Sequence, residues 1–486
     1  MHDNNLIKLL KTFSQNEFRE FYLLVNSPFF NREKVLMKFS EILKKHYPGF
    51  VSANLDKKKI FIKLFSGKKY NDALMRNTVS DMLKLAEEYL KITHLRKDPF
   101  YEQYMLLKEL TNRKQQKLFK MNFKKAENIL KSTGIVDELY YQNNFLLEDE
   151  HRRNVVVNSS RILFKDDNMD RQAFTHNLQF LVTNVKLYAI LLNQSKFTYD
   201  HRFDFTLFEL IRKYIEENFH LYKNIPYVNI FYNCVMLFKT DEKKYFDEMK
   251  LLLKKYYLKL SIIDRKNMFI ALTNYSNNQI KAGRFEFLSE LFDINLEMLK
   301  TKAYFEGNDF MAHYIYQAIA LNAVSFGKVK WAENFVNKYR KLVHSDFRES
   351  TYNFCKSVIC IEEEKYDEAL VYLSKVKLHD VRFKMLINTS LLKIYFCKNE
   401  SESFFSLVDS FRHFLKRNKD LRNDDRIINN NFVLYLSKIY KLKMHPAKNE
   451  ITEFQVIKDD LDKNNEVAQK KWLCAKLDNL INELKD

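Results

Sequence analysis

Lysine and arginine are the side chains whose spacing in this sequence points most directly to a chemistry. Between Lys57 and Lys131 the chain carries 19 of them against 8 carboxylates, and they arrive in clusters: Lys57–Lys59, Lys68–Lys69, Arg96–Lys97, Arg113–Lys114 and Lys124–Lys125. Positive charge gathered on one face binds phosphate oxygens through salt-sensitive, sequence-independent contacts. The interleaved Phe61, Phe65, Tyr70 and Phe119 offer rings on which bases stack. The i to i+4 spacing of Phe61 and Phe65 suits a buried helical stripe better. We take Lys57, Lys58, Lys59, Lys68, Lys69, Arg113, Lys114, Lys124 and Lys125 as candidate phosphate contacts. The competing reading is a solvated lysine-rich surface that serves solubility.

Other chemistries leave no local signature. The glycines stand at 49, 67, 134, 283, 307 and 327. No two are close enough to form GxxxxGK or GxGxxG, so a multi-glycine cradle for nucleotide phosphates is excluded. The 12 histidines contain no HExxH and no i, i+4 pair, which removes the commonest helical zinc signatures. Glu148-Asp149-Glu150-His151, followed by Arg152 and Arg153, is the densest carboxylate–histidine group and reads as a solvated helix face with i, i+4 pairs. The run Asp166–Asp170 lacks the glycine and closing glutamate of a calcium loop and reads as a plain loop. Ser–His–Asp sets meet only in space, so spacing neither supports nor removes one. No metal, no cofactor and no enzymatic activity is expected.

The residues that position these groups belong to an all-α chain. Six Gly and five Pro in 486 residues leave few breakers, whereas sheet folds need many tight turns. That length exceeds one compact core. Five scattered cysteines, Cys234, Cys355, Cys360, Cys397 and Cys474, without CxxC spacing, suit reduced thiols in a cytoplasmic protein. The opening MHDNNLIKLLKTF has no signal-peptide pattern. No window approaches 18 uncharged apolar residues, so no membrane insertion is expected. The net charge of +19 is uneven: residues 1–135 carry 27 Lys+Arg against 14 Asp+Glu, and the remainder 54 against 48. Such asymmetry marks an anionic partner at one end or a solvated basic surface.

Along the chain, Ser14-Gln15-Asn16-Glu17 forms a capping box ahead of a helix whose inner face carries Phe18, Phe21, Tyr22 and Val25. Ser27-Pro28 ends it, and Asn31 caps the next helix, which runs to Tyr47-Pro48-Gly49. Helices are then predicted over 56–65, 71–95, 101–110 and 115–131, and a long polar-rich one over 136–164. Four further helices are expected over 171–194, 204–219, 226–239 and 242–258. More regular pairs follow, turning at Gly283-Arg284-Phe285, Gly327-Lys328-Val329, Glu364-Lys365-Tyr366 and Asn399-Glu400-Ser401. Their equivalent inner positions, Leu288, Ala332, Ala369 and Phe404, are separated by 44, 37 and 35 residues. The expected division is a basic N-terminal block over 1–135, a connecting helix over 136–165, a helical-hairpin array over 166–424 and capping helices over 425–486.

Over residues 225–440 this pattern resembles tetratricopeptide repeats, which carry a Gly-x-[aromatic or apolar]-x-x-Ala turn between paired helices and recur about every 34 residues. Glu364–Val376 and Phe326–Val336 match well; Leu288 and Phe404 stand where the small alanine is expected. The resemblance implies an irregular tetratricopeptide-like α-solenoid whose grooves hold proteins or peptides. The stretch FSQNEFREFYLLVNSPFFNREKVLMKF resembles the first helices of bacterial winged-helix DNA-binding domains, and KKIFIKLFSGKKYNDALMRNTVSDMLKL has a similar cadence. A winged helix continues into a β-hairpin, whereas here Thr93–Asp98 leads directly to a helix at Phe100. The combined pattern also resembles a group of bacterial helical proteins, a likeness that carries no activity.

The functional expectation is a non-enzymatic scaffold that binds a protein or peptide partner on stacked helical hairpins. The alternative is a nucleic-acid-binding, regulator-like protein that contacts phosphates through the basic N-terminal block.

Overall fold

The structure, a computed structural model, describes residues 4–50, 55–158, 167–197, 203–306, 310–377, 381–444 and 450–485. Among them are 24 α-helices and one pair of two-residue antiparallel strands, Phe305–Glu306 and Phe310–Met311. The all-α class read from glycine and proline scarcity is the observed one. None of the described helices is long and apolar enough to cross a membrane. The chain divides into two units. Unit 1 comprises residues 1–133 and 146–172, and unit 2 comprises 134–145 and 173–486.

Unit 1 contains α1 (Asn5–Leu10), α2 (Gln15–Val25), α3 (Lys34–His46), α4 (Lys57–Leu64), α5 (Asp72–Lys97), α6 (Pro99–Asn112) and α7 (Gln116–Ser132). It also takes residues from α8 (Glu138–Asn158) and α9 (Asp167–Phe197), which contribute to both units. The capping box is present: Ser14 Oγ accepts from the Glu17 amide at 3.3 Å, and Glu17 Oε2 accepts from the Ser14 amide at 2.8 Å. Phe18, Phe21 and Val25 are buried as their spacing predicts. The buried faces of α1–α5 form one core, with Phe13, Phe21 and Tyr89 in mutual ring contact.

Two expectations are corrected in this unit. Asn31 does not cap α3, which starts at Lys34 with no side-chain cap. Its buried amide instead donates to the Val25 carbonyl at 2.8 Å and accepts from the Glu33 amide at 2.9 Å, so it fastens the loop between α2 and α3. Residues 167–170 open α9 rather than forming a loop; Asp166 lies outside the described residues, as does the expected helical stretch 159–164.

Unit 2 continues with α10 (Thr206–Glu217), α11 (Phe219–Tyr222), α12 (Pro226–Thr240), α13 (Lys243–Tyr256), α14 (Ile262–Lys281), α15 (Phe287–Lys300), α16 (His313–Ser325), α17 (Val329–Tyr339), α18 (Ser345–Glu362), α19 (Tyr366–Ser374), α20 (Val381–Lys398) and α21 (Ser401–Arg417). The last three are α22 (Asn423–Met444), α23 (Glu450–Lys463) and α24 (Lys470–Glu483). Consecutive helices pack as pairs, and first helices of neighbouring pairs also touch: α12 with α14, α16 with α18, and α18 with α20.

One turn builds most of these pairs. Glu364, with φ 60°, donates its amide to the Ile361 carbonyl at 3.2 Å while the Lys365 amide reaches back to Cys360 at 2.8 Å. This pair of hydrogen bonds around a left-handed residue satisfies carbonyls that the end of a helix leaves without partners. The same two bonds occur at Gly283–Arg284, Gly327–Lys328 and Asn399–Glu400, and in unit 1 at Lys114–Gln115 between α6 and α7. Five residues after each left-handed residue the chain turns inward, at Phe119, Leu288, Ala332, Ala369 and Phe404, all buried. Where that residue is alanine, the small side chain lets helix axes approach closely. Where it is Phe404, the ring stacks on Tyr440 of α22 with centroids 4.2 Å apart.

Candidate functional site

The basic candidates fall into two places on unit 1. Lys57, Lys58 and Lys59 form the first turn of α4, capped by Asp56, whose side chain accepts from the Lys59 amide at 2.9 Å. Lys68 and Lys69 lie in the loop that follows. Ring contacts tie this region together: Phe61 lies 4.8 Å from Phe65 and 5.3 Å from Tyr70, with the Lys58 ammonium 5.9 Å from the Tyr70 ring and that of Lys68 5.8 Å from Phe65. Lys57 is spent on Asp72 at 3.6 Å. Arg113 and Lys114 sit at the α6–α7 turn, Arg113 pairing with Glu109 at 3.4 Å, and Lys124 and Lys125 are exposed on α7. Among the described residues, Lys58, Lys59, Lys68, Lys69, Lys114, Lys124 and Lys125 are in no ion pair. Phe61 and Phe119 are fully buried, so neither presents a face to a base.

The carboxylate–histidine group on α8 is not a solvated face. Glu148 and Glu150 are each 2% exposed. Glu148 pairs with Arg171 at 2.6 Å and Glu150 with Arg153 at 3.0 Å; Asp149 accepts from the Gln172 amide. Asn154, also buried, donates to Thr111 Oγ1 at 3.1 Å, and the His151 ring lies 4.5 Å from that of Phe123. Every acid in the group thus has a cation or amide beside it. Pairing of this kind offsets the cost of burying charge, and it ties α8 to α6 and α9. Among the described residues there is no group of three or more His, Cys, Asp or Glu able to hold a metal ion.

An open cavity lies in unit 2, lined by residues of α10, α11, α12 and α13. It encloses about 410 Å³ and is lined by Glu216, Phe219, Asn229, Tyr232, Asn233, Tyr245 and Glu248. Asn229 and Asn233 are one turn apart on α12 and are fixed in series. Asn233 Nδ2 donates to the Asn229 carbonyl at 2.8 Å and to Asn229 Oδ1 at 2.7 Å, and Asn229 Nδ2 donates to the Lys223 carbonyl at 3.2 Å. Phe219 and Tyr232 form an aromatic wall with centroids 5.7 Å apart. Burial and the nearby Glu216 carboxylate push the Tyr232 hydroxyl up to about 12, so the phenol stays protonated. Arg212 holds Glu216 at 2.8 Å and Glu209 at 3.0 Å.

The lining carries several acceptors. With both Asn233 amide hydrogens directed at Asn229, its Oδ1 is left over, and Asn233 is only 6% exposed. Glu248, on the exposed side of α13, pairs with no described cation. None of these residues belongs to a motif. They come from four helices and are of ordinary types, and the only signal in the sequence is the i, i+4 asparagine pair inside an otherwise apolar α12. No protein-family model, curated protein or solved structure matches the chain.

Proposed function

We propose that the chain is a non-enzymatic binding protein whose paired helices hold a protein or peptide partner. The observation that carries this reading is the open cavity on α10–α13, walled by aromatic rings and carrying polar groups whose directions are fixed by their neighbours. Such pockets, apolar with a few oriented polar groups, are where side chains of partners seat. The turn recurring at Gly283, Gly327, Glu364 and Asn399 supports a tetratricopeptide-like array as the frame. Five free thiols, three of them buried, are consistent with a reducing, cytoplasmic setting. The test is an array of immobilised short peptides probed with the full-length protein and with a variant whose cavity is filled, Asn229→Trp. Selective capture of some peptides by the first and not by the second is expected. Equal capture by both, or turnover of a nucleotide or ester abolished by a single substitution, overturns the reading.

A second reading rests on a separate observation: Lys58, Lys59, Lys68 and Lys69 are exposed along α4 and its loop and belong to no ion pair among the described residues. Lysines left in this state are suited to phosphate contacts. Full-length protein is expected to retard an oligonucleotide at about 50 mM salt, with affinity falling steeply as salt rises. The combined change of these four lysines to glutamate is expected to abolish it. No retardation by the unaltered protein removes this reading.

A further inference from the structure

We infer that the cavity on α10–α13 is a socket for a single arginine side chain presented by a peptide or protein partner. This rests on the binding role proposed above and names the chemistry that the socket recognises. The acceptors in the lining are Asn233 Oδ1, the Glu248 carboxylate and the Glu216 carboxylate, whose Oε2 holds Arg212 and whose Oε1 lies 3.5 Å from the Tyr232 hydroxyl. A ligand that brings charged hydrogen-bond donors suits these acceptors, Glu248 above all. Phe219, Tyr232 and Tyr245 supply ring faces, which attract cations and bind a planar guanidinium better than a compact ammonium. The Tyr245 ring already carries a cation of the chain itself, the Lys244 ammonium 4.7 Å from its centre.

Competition from the protein's own cations is limited by geometry. Arg212 is committed to Glu209 and Glu216, and Lys244 to Glu242 at 2.6 Å. Lys223 offers the site its carbonyl, which the Asn229 amide occupies. Glu248 is left to answer a charge from outside. The chain as a whole carries +19, and Glu216 is balanced by Arg212, so Glu248 is the acid of this lining that is in no ion pair among the described residues. A cationic residue is thereby drawn to this place and repelled from most of the remaining surface. A cavity of about 410 Å³ has room for one long side chain.

The test compares fluorescein-labelled short peptides that differ only at one residue, arginine or its neutral isostere citrulline, by anisotropy against full-length protein. The sequence around that residue is taken from the peptide-array captures. Replacing arginine by citrulline is expected to weaken binding about tenfold or more, the range for losing a charge-assisted bond. Glu248→Gln is expected to weaken the arginine peptide by a similar factor and to leave the citrulline peptide unchanged. Because Glu248 is exposed, the variant is expected to keep its fold, checked by circular dichroism. If array peptides bind but arginine and citrulline forms bind alike, or Glu248→Gln affects both alike, the arginine socket is wrong while the peptide-binding role stands. If no peptide on the array is captured, both fall.

Discussion

Tyr227 of α12 donates its phenolic hydrogen to Asp264 of α14 across 3.0 Å, and both side chains are buried. The same carboxylate accepts from Ser261 Oγ at 2.8 Å and faces the Lys186 ammonium of α9 at 3.1 Å, which in turn reaches Glu138 of α8 at 2.9 Å. Tyr227 of α12 and Lys186 of α9, through which α8 joins, therefore converge on one acid of α14. Removing it strands a cation and a phenol in a low-dielectric interior. Asp264→Ala is expected to cost about 3–5 kcal/mol, read as a lower urea midpoint for unit 2. Burial pulls the Lys186 ammonium down, but Asp264 and Glu138 outweigh it and hold it above the ordinary lysine value. A raised folded-state value means that this contribution is intact below pH about 10.5 and is lost as pH climbs through the higher folded value. Alkaline unfolding of the native protein should accordingly be steeper than that of Lys186→Met.

Glu209 of α10 sets the acid limit. Burial pushes its carboxyl up, but hydrogen bonds from Lys239, Tyr188 and Arg212 overcome this and bring it down to about 2, from 4.5. A depressed carboxylate contributes stability above its unfolded value and loses it as pH falls from about 4.5 towards about 2. Thermal unfolding of Glu209→Gln should show a lower midpoint than the native protein at neutral pH. The gap should close progressively across that acid window. A gap that is constant from neutral pH to pH about 2 would assign the effect to packing rather than charge.

The recurring turn makes a prediction with two signs. Gly327 holds φ 80° with nothing within 4 Å of where a Cβ would stand, so Gly327→Ala meets no clash and costs only the left-handed conformation, roughly 1–2 kcal/mol. Glu364 already bears that cost at φ 60° in the equivalent position. Glu364→Gly should therefore stabilise the protein by about 1 kcal/mol or slightly less, since glycine also gains freedom in the unfolded chain. Urea titration of both variants reads the opposed shifts. If Glu364→Gly is destabilising, its pairing with Lys476 at 3.9 Å matters more than its backbone.

These turns also show how far the sequence could be read. The helices were legible because breakers are rare and inner faces recur at helical spacing, as at Phe18, Phe21 and Val25 or at Ala369 and Leu373. The turns at Gly283 and Gly327 announce themselves by glycine. The identical one at Lys114 does not, because a lysine occupies the left-handed position and a phenylalanine, Phe119, the inner one. Burial of Glu148 and Glu150 was illegible for a different reason. Arg171, the partner of Glu148, lies beyond an intervening stretch, and a run of acids and arginines on a helix looks the same whether it faces water or a neighbour. The cavity was harder still. Glu216 and Glu248 are 32 residues apart, and only the packing of α10 to α13 gives them a shared wall.

The loop between α2 and α3 separates what a residue exposes from what it holds. Phe29 is 87% exposed and Phe30 38%, their rings 5.0 Å apart edge to face, at a tip where the Phe30 and Asn31 amides both donate to the Ser27 carbonyl. Phe29 contributes little to the folded state, so Phe29→Ser should move the unfolding midpoint by no more than about 0.5 kcal/mol. Asn31 is 5% exposed and fastens the tip to Val25 and Glu33. Asn31→Ala leaves the buried Val25 carbonyl and the Glu33 amide without that partner, and about 1–3 kcal/mol should be lost. Urea unfolding of the two variants side by side checks this ordering. A loss on Phe29→Ser as large as that on Asn31→Ala would mean that the Phe29 ring is covered in solution.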